Sequence, residues 1–329
     1  MIALLIGNLI VTKGTTTTTG YLLNGVQQGA IYALIAIGYT MVYGIIELIN
    51  FAHGDVFTLG GFFSLKVSMM IAGALGVSVE ELTSDPQHGV PFLVLLLVVL
   101  PTAMILSGLV GVVIERVAYR RLRDAPRLAP LITAIGVSFV LSGIMFVWQG
   151  SGNVSTGADS WLTGIVYRDG AAVLTSRGVF VIVAAVGLMF GLQLFIKRSR
   201  MGRAMRATAQ DRDAALVCGI NINRTISSTF FIGSALAGAA GLLWSMYYGS
   251  LTWSLGYRAG IVAFTAAVLG GIGNIVGAGL GGFLIAIISV LAETLLGGEW
   301  GNIVIFATLV VILTFRPTGL LGSQVADRA

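Results

Sequence analysis

Residues 197–224 read KRSRMGRAMRATAQDRDAALVCGININR, a polar, arginine-rich island in a chain whose other long stretches are apolar. The island holds Lys197, Arg198, Arg200, Arg203, Arg206, Arg212 and Arg224. The runs on either side, 179–196 and 226–247, are each close to the ~20 residues that cross a bilayer. A basic loop between two spans belongs on the cytoplasmic side, and this one is long enough to present a surface to another protein. A transporter that draws its energy from a soluble ATPase needs such a surface.

Of the 329 residues, 56% are hydrophobic and 10% charged, with a mean hydropathy of +0.94. Soluble domains carry about a quarter charged residues, so the surroundings of most of this chain are the lipid bilayer. The net charge of +5 reads as the positive-inside signal. No basic patch interleaved with aromatics marks a nucleic-acid surface, and no nucleic-acid partner is expected. The single cysteine, Cys218, excludes an internal disulfide, and His53 and His88 alone leave no ligand set for a metal. The N-terminal MIALLIGNLIV lacks a basic n-region, so it reads as a partial or interfacial segment and not a cleaved signal peptide. Whether 1–20 forms a further membrane segment is left open by the sequence.

Apolar runs fall near 22–46, 56–73, 92–114, 131–148, 179–196, 226–247, 259–277, 279–296 and 301–315. The expected fold is therefore an all-α polytopic membrane protein of roughly eight to nine transmembrane helices, forming one permease domain over 1–329 with its cytoplasmic loop at 197–225. The pair 259–277 and 279–296 has almost no loop between its members, leaving two spans or a re-entrant hairpin as alternatives. The loops near 115–130 (Arg116, Arg120, Arg121, Arg123, Arg127) and 197–225, with Arg316 and Arg328 in the tail, hold most of the 19 Lys and Arg residues. The loops near 74–91 and 149–178 hold Glu80, Glu81, Asp85, Asp159 and Asp169. That alternation puts the C-terminus inside and the start of the first full span outside.

Gly273, Gly277 and Gly281 form a tandem GxxxG ladder, and Gly25/Gly29 and Gly233/Ala237/Gly241 are further small-xxx-small sets. They read first as helix-packing faces within the subunit, and second as a seam between subunits. Two Gly-punctuated interruptions, Glu47–Asp55 and Gly270–Asn274, lie one in each half of the chain. Broken helices in corresponding halves predict an inverted repeat with the pathway at its interface. On this logic the pathway candidates are Asn50, His53, Asp55, Gly271, Gly273 and Asn274.

The sequence carries no Walker A pattern, no HExxH and no GxSxG elbow, so it reads as no enzyme and as no ATP-binding chain. Intramembrane ionisable residues reduce to Glu47, His53 and Asp55 around the first break and Glu293 near the end of the eighth run. An ion-coupled secondary carrier needs such groups along its path, and this scarcity disfavours one. From Arg203 to Cys218 the island lacks Pro and Gly, is rich in Ala, and stops at Gly219, which predicts one short helix. Docking into a partner's groove and lying on anionic lipid are both open to such a helix.

The segment YALIAIGYTMVYGIIELINFAHGDVFTLGGF, Tyr32 to Phe62, resembles the N-terminal part of bacterial branched-chain amino acid ABC transporter permeases. AFTAAVLGGIGNIVGAGLGG, Ala263 to Gly282, is similar to their second signature, and RPTGLLG, Arg316 to Gly322, to a third. GRAMRATAQDRDAALVCGININR resembles the family's cytoplasmic loop that docks on the ATPase. Asp213-Ala214-Ala215 followed by Gly219 resembles the E-A-A-x-x-x-G core of importer coupling loops, with Asp for Glu and without the Leu-Pro that often follows. The resemblance spans about Gly25 to Gly322. It implies a multi-pass subunit of the bacterial inner membrane that works with ABC ATPase subunits, a second related permease or a second copy, and an extracytoplasmic binding protein. ATP would be bound by the partner subunits, with no cofactor in this chain. The implied cargo is a branched-chain or other neutral amino acid. Urea or a short amide is the alternative within the family, and an ion-coupled secondary carrier the alternative outside it. The coupling residues it implies are Arg203, Arg206, Asp211, Asp213, Ala214, Ala215 and Gly219.

Overall fold

The computed structural model describes residues 6–7, 9–11, 14–84, 87, 89–123, 125–126, 128–170 and 172–322. Asp85, His88, Arg127, Arg328 and parts of the N-terminal segment lie outside the described residues. Helix α1 covers Thr15–Ile46, α2 His53–Leu75, α3 Phe92–Ile114, α4 Leu128–Gln149 and α5 Ser176–Arg198. Two short helices follow, α6 Arg200–Gln210 and α7 Arg212–Val217, then α8 Ile222–Tyr248, α9 Leu255–Gly270, α10 Ile275–Leu296 and α11 Trp300–Phe315. Among the described residues 7 helices are long and apolar enough to cross a membrane, and α9 and α11 are shorter apolar helices. Together they match, one for one, the apolar runs of the sequence. The chain is an all-α polytopic membrane protein.

Three boundaries differ from expectation. α1 starts at Thr15 instead of near 22, taking in a threonine run whose Thr18 and Thr19 return their hydroxyls to the Gly14 and Thr15 carbonyls at 2.8 and 2.9 Å. The run read as 259–277 ends at Gly270. There Gly271 and Gly273 take φ of 107° and 92°, and Asn274 Oδ1 accepts the Gly277 N–H at 3.0 Å to start α10. The single helix expected over Arg203–Cys218 is two helices. Asp211 leaves helical geometry and accepts the N–H groups of Asp213 and Ala214 at 2.9 and 3.0 Å, capping α7.

The fold is organised by two chain returns. Residues 47–52 double back after α1, so that His53 sits against Gly38, about two turns or ~12 Å before the α1 end. Residues 249–254 do the same after α8, at the opposite end of the bundle: Leu251 packs on Gly61, which itself lies against Gly241. α2 and α9 therefore both begin inside the bundle, and their first turns meet, Gly54 against Gly256 and Gly260. The packing repeats in inverted order. α1 packs on α10 as α8 packs on α3, and α2 packs on α8 as α9 packs on α1. Expected at Gly270–Asn274, the counterpart of the first break instead lies at 249–254. The glycine-rich segment is a tight turn between α9 and α10, whereas the true return, Gly249-Ser-Leu-Thr-Trp-Ser254, holds one glycine and carries little glycine signal.

In lipid, helix association rests on close packing and not on expulsion of water. The small residues supply it within the subunit. A side chain on Gly25 would meet Ile287 and one on Gly29 would meet Phe283, both on α10; Gly277 and Gly281 face Gly270 and Ala266 on α9. Gly273 has open space around it and serves the turn instead. At the end opposite the basic loops, strand β1 (Val154–Ser155) pairs with β2 (Ser250–Leu251). A hairpin of β3 (Ile165–Asp169) and β4 (Ala172–Thr175) packs against α1, and the 249–254 return is held from outside by the Thr156 N–H, which donates to the Gly249 carbonyl at 2.9 Å. Trp161 buries its ring under this cap and donates Nε1–H to the Val79 carbonyl at 2.9 Å.

Gly60→Leu sets a side chain against the backbone of Gly238 and is expected to destabilise the bundle by at least ~1–3 kcal/mol, read as loss of the monodisperse peak in detergent chromatography. Gly136→Leu on α4, where nothing lies within 4 Å, is expected to leave that peak unchanged.

Candidate functional site

The meeting point of α2 and α9 borders an apolar-lined cavity of about 490 Å³. Its walls are Tyr39 and Phe51, then Ile135, Ser138, Phe139 and Ser142 from α4, and Trp253, Ser254, Tyr257, Gly260 and Ile261 around the start of α9. The lining is apolar with a few hydroxyls, the composition of a site for a small, partly polar molecule. α9 begins here without a side-chain cap. The N–H groups of its first turn thus lack helical acceptors and place the positive end of the helix dipole at the cavity. Phe139 and Tyr257 are 74% and 65% exposed, so the cavity opens on the side of the bundle between α4 and α9.

Asp55, in the first turn of α2, is fully buried. Its carboxylate accepts Ser138 Oγ–H at 2.5 Å and Ser142 Oγ–H at 2.8 Å. The serines stand one turn apart on α4, a helix with few buried residues of its own, and these bonds tie it to α2. His53 is also fully buried, its ring edge-on to Tyr39 at 4.7 Å between centroids. Its nitrogens make no well-formed hydrogen bond. Asn50 Oδ1 accepts the Tyr119 hydroxyl at 3.3 Å, holding the 47–52 return to the end of α3. These three residues lie together along one strand of chain. Gly271, Gly273 and Asn274 do not join them. Gly271 abuts Gly322, and Asn274 Nδ2–H donates to the Leu321 carbonyl at 2.8 Å, so this turn is clasped by the C-terminal segment.

A second surface lies on α6 and α7. Met205, Thr208 and Ala215 turn inward, while Arg203, Asp213, Ala214 and Gly219 are exposed. So are Leu216 and Val217, at 64% and 87%. Arg206 donates to the Ile196 carbonyl at the end of α5, and Arg212 Nη2–H donates to the Ile45 carbonyl at the end of α1 at 2.9 Å. Both guanidinium groups satisfy last-turn carbonyls and complement the negative end of the helix dipole. Arg212, Leu216 and Val217 escaped the sequence reading, as did Ser138 and Ser142. Only an apolar pair inside a charged island signalled the first group, and only the i, i+4 serine spacing on a lipid-facing run signalled the second.

A profile of the family described as branched-chain amino acid transport system / permease component matches residues 21–313. The chain is 42% identical to the high-affinity branched-chain amino acid transport system permease protein BraD of Pseudomonas aeruginosa, covering 93% of this chain and 96% of that protein. It is 42% identical to the corresponding LivH of Salmonella typhimurium and 41% identical to LivH of Escherichia coli K12, with the same coverage in each case.

Replacing both Ser138 and Ser142 by Ala leaves the buried Asp55 carboxylate without its donors. The expected loss is ~1–3 kcal/mol, measured as a lowered unfolding midpoint in detergent. Adding Asp55→Asn to that pair is expected to recover part of the loss, because the buried charge is then gone.

Proposed function

The chain belongs to the branched-chain amino acid transport permease family, and from that premise we propose that it forms one wall of an importer's pathway for branched-chain amino acids. The observation that carries this reading is the cavity where the two helix starts meet. A zwitterionic amino acid needs a positive field for its carboxylate, an acceptor for its ammonium and an apolar wall for its side chain. The uncapped first turn of α9 with Ser254 supplies the first, since half-helix N-termini favour anionic groups. The Ser138 and Ser142 oxygens, polarised by Asp55, supply the second. Phe51, Ile135, Phe139 and Ile261 supply the third. The lateral opening is closed by a second permease chain, either a related subunit or another copy.

In this reading the basic end of the bundle and the C-terminus face the cytoplasm of a bacterial cell, following the positive-inside rule. Partner ATPase subunits bind ATP and receive α7 through the exposed Leu216–Val217 pair flanked by Asp213 and Gly219. Their closure displaces α7, and Arg212 passes that displacement to the end of α1. From there it reaches the 47–52 return and the cavity. An extracytoplasmic binding protein delivers the cargo at the opposite end, so this chain needs only a weak transit site.

Two measurements test the proposal. Val217→Asp should leave the permease folded but lower ATP-driven leucine uptake by the reconstituted importer at least ~10-fold, since a charge in an apolar docking contact weakens it by a few kcal/mol. Unchanged uptake would remove α7 from the coupling path. Cys218, the chain's one cysteine, is exposed beside that pair. It should react with an impermeant maleimide in inside-out but not right-side-out vesicles, and be shielded once the ATPase subunits assemble. The reverse sidedness would sink the orientation.

A further inference from the structure

The seam between α3 and α8 at the basic end carries a constellation that neither the cavity nor the coupling surface uses. Glu115, fully buried, opens the π-helical turn Glu115–Tyr119 that extends α3. It accepts Arg120 Nε–H at 3.3 Å and Ser227 Oγ–H at 2.6 Å, and also pairs with Arg123. One carboxylate is thus already shared by two guanidinium groups. Arg116 and Arg224 stand exposed on the two sides of the seam and make no ion pair among the described residues. With Arg120 they line a cavity of about 460 Å³, whose other walls include Asn223, Ser228 and Phe231. The field in this hollow is positive, and the start of α8 adds its dipole to it.

The hollow does not end in polar surface. Phe231 also forms one end of an apolar groove of about 330 Å³ between α5 and α8, reaching Ala235 and bordered by Gly187 and Gly191. These glycines are one turn apart on α5, and nothing lies within 4 Å of where a side chain would begin on either. Ala235 is ~16 Å along α8 from Arg224 at 1.5 Å per residue, which is well within the hydrocarbon. A basic pocket at the ends of the helices that continues as a smooth apolar channel along them matches an amphiphile with an anionic head.

We propose that this seam binds one anionic phospholipid from the leaflet at the basic end. Its phosphate sits among Arg116, Arg120 and Arg224, and one acyl chain lies along the Gly187–Gly191 groove. A soluble partner meets the arginines but does not reach the groove, and a free phosphate has no use for it. The bound lipid bridges α3 to α8 beside the π-helical turn, so the anionic lipid content of the membrane sets how firmly these helices are held.

The test is native mass spectrometry and thermal unfolding of the full chain in mild detergent, with phosphatidylglycerol, phosphatidylcholine and inorganic phosphate added in separate arms. The wild type should retain one phosphatidylglycerol and little phosphatidylcholine. Arg116→Gln with Arg224→Gln should weaken that retention roughly 10- to 30-fold, from the loss of two charges at the surface. Gly187→Leu with Gly191→Leu, at positions where nothing lies within 4 Å of an added Cβ, should weaken it without lowering the lipid-free unfolding midpoint. Equal retention of the two lipids, or undiminished phosphatidylglycerol in both variants, overturns the proposal. Protection by inorganic phosphate equal to that by phosphatidylglycerol assigns the pocket to a free anion and overturns it too. Loss of ATPase copurification in the arginine variant with lipid retention intact assigns the seam to a protein partner instead.

Discussion

The approach of α2 to α9 at their first turns is the constraint from which the remaining geometry follows. Gly54, Gly256 and Gly260 let two backbones meet where any side chain would hold them apart. In a medium that offers no hydrophobic drive between helices, such proximity is the main source of cohesion. It also fixes function. Two helices that begin in the interior bring their N-terminal N–H groups into a region with no water to satisfy them. The returning loops accept some of these groups, His53 N–H on the Asn50 carbonyl and Leu255 N–H on the Thr252 carbonyl. Asp55 sets a carboxylate in the first turn of α2, and the hollow lies beside the start of α9. A cavity lined by apolar groups and a few hydroxyls is thus a by-product of the way the inverted halves are joined.

Membrane class, the order of the apolar helices and the packing role of most small residues were legible in the sequence because each rests on composition or periodicity. Runs of apolar residues must be helices in lipid, and the Gly25/Gly29 spacing can only put both on one helical face. What failed to show was any feature set by contact between distant segments. The return at 249–254 is written with a single glycine among ordinary residues and is visible only because Leu251 falls on Gly61. The Gly270–Asn274 segment has the louder composition, yet it is a turn held by Leu320, Leu321 and Gly322. Glycine content therefore marks where backbone must bend or touch, without saying which of the two.

The basic island at 197–224 shows the same division. An arginine-rich island was plain, but not that Arg206 and Arg212 face inward to the carbonyls ending α5 and α1. Charge counting treats all the arginines of that island as solvated and equivalent. The structure separates Arg203 and Arg206, which donate to the Arg198 and Ile196 carbonyls ending α5, from Arg212, which donates to the Ile45 carbonyl ending α1. Fastening matters more than contact for transmitting motion, because a surface loosely attached to α1 would move without moving it.

The lateral mouth of the cavity between Phe139 and Tyr257 bears on inheritance as well as on transport. Where a related permease chain closes this mouth, as proposed above, selectivity is divided between two genes. Substitutions at this mouth are then compensated by changes in the other chain more readily than by changes nearby in this one. Pairs of permease genes that diverge must drift in step along this strip, while the buried α2–α9 contact is free to stay as it is.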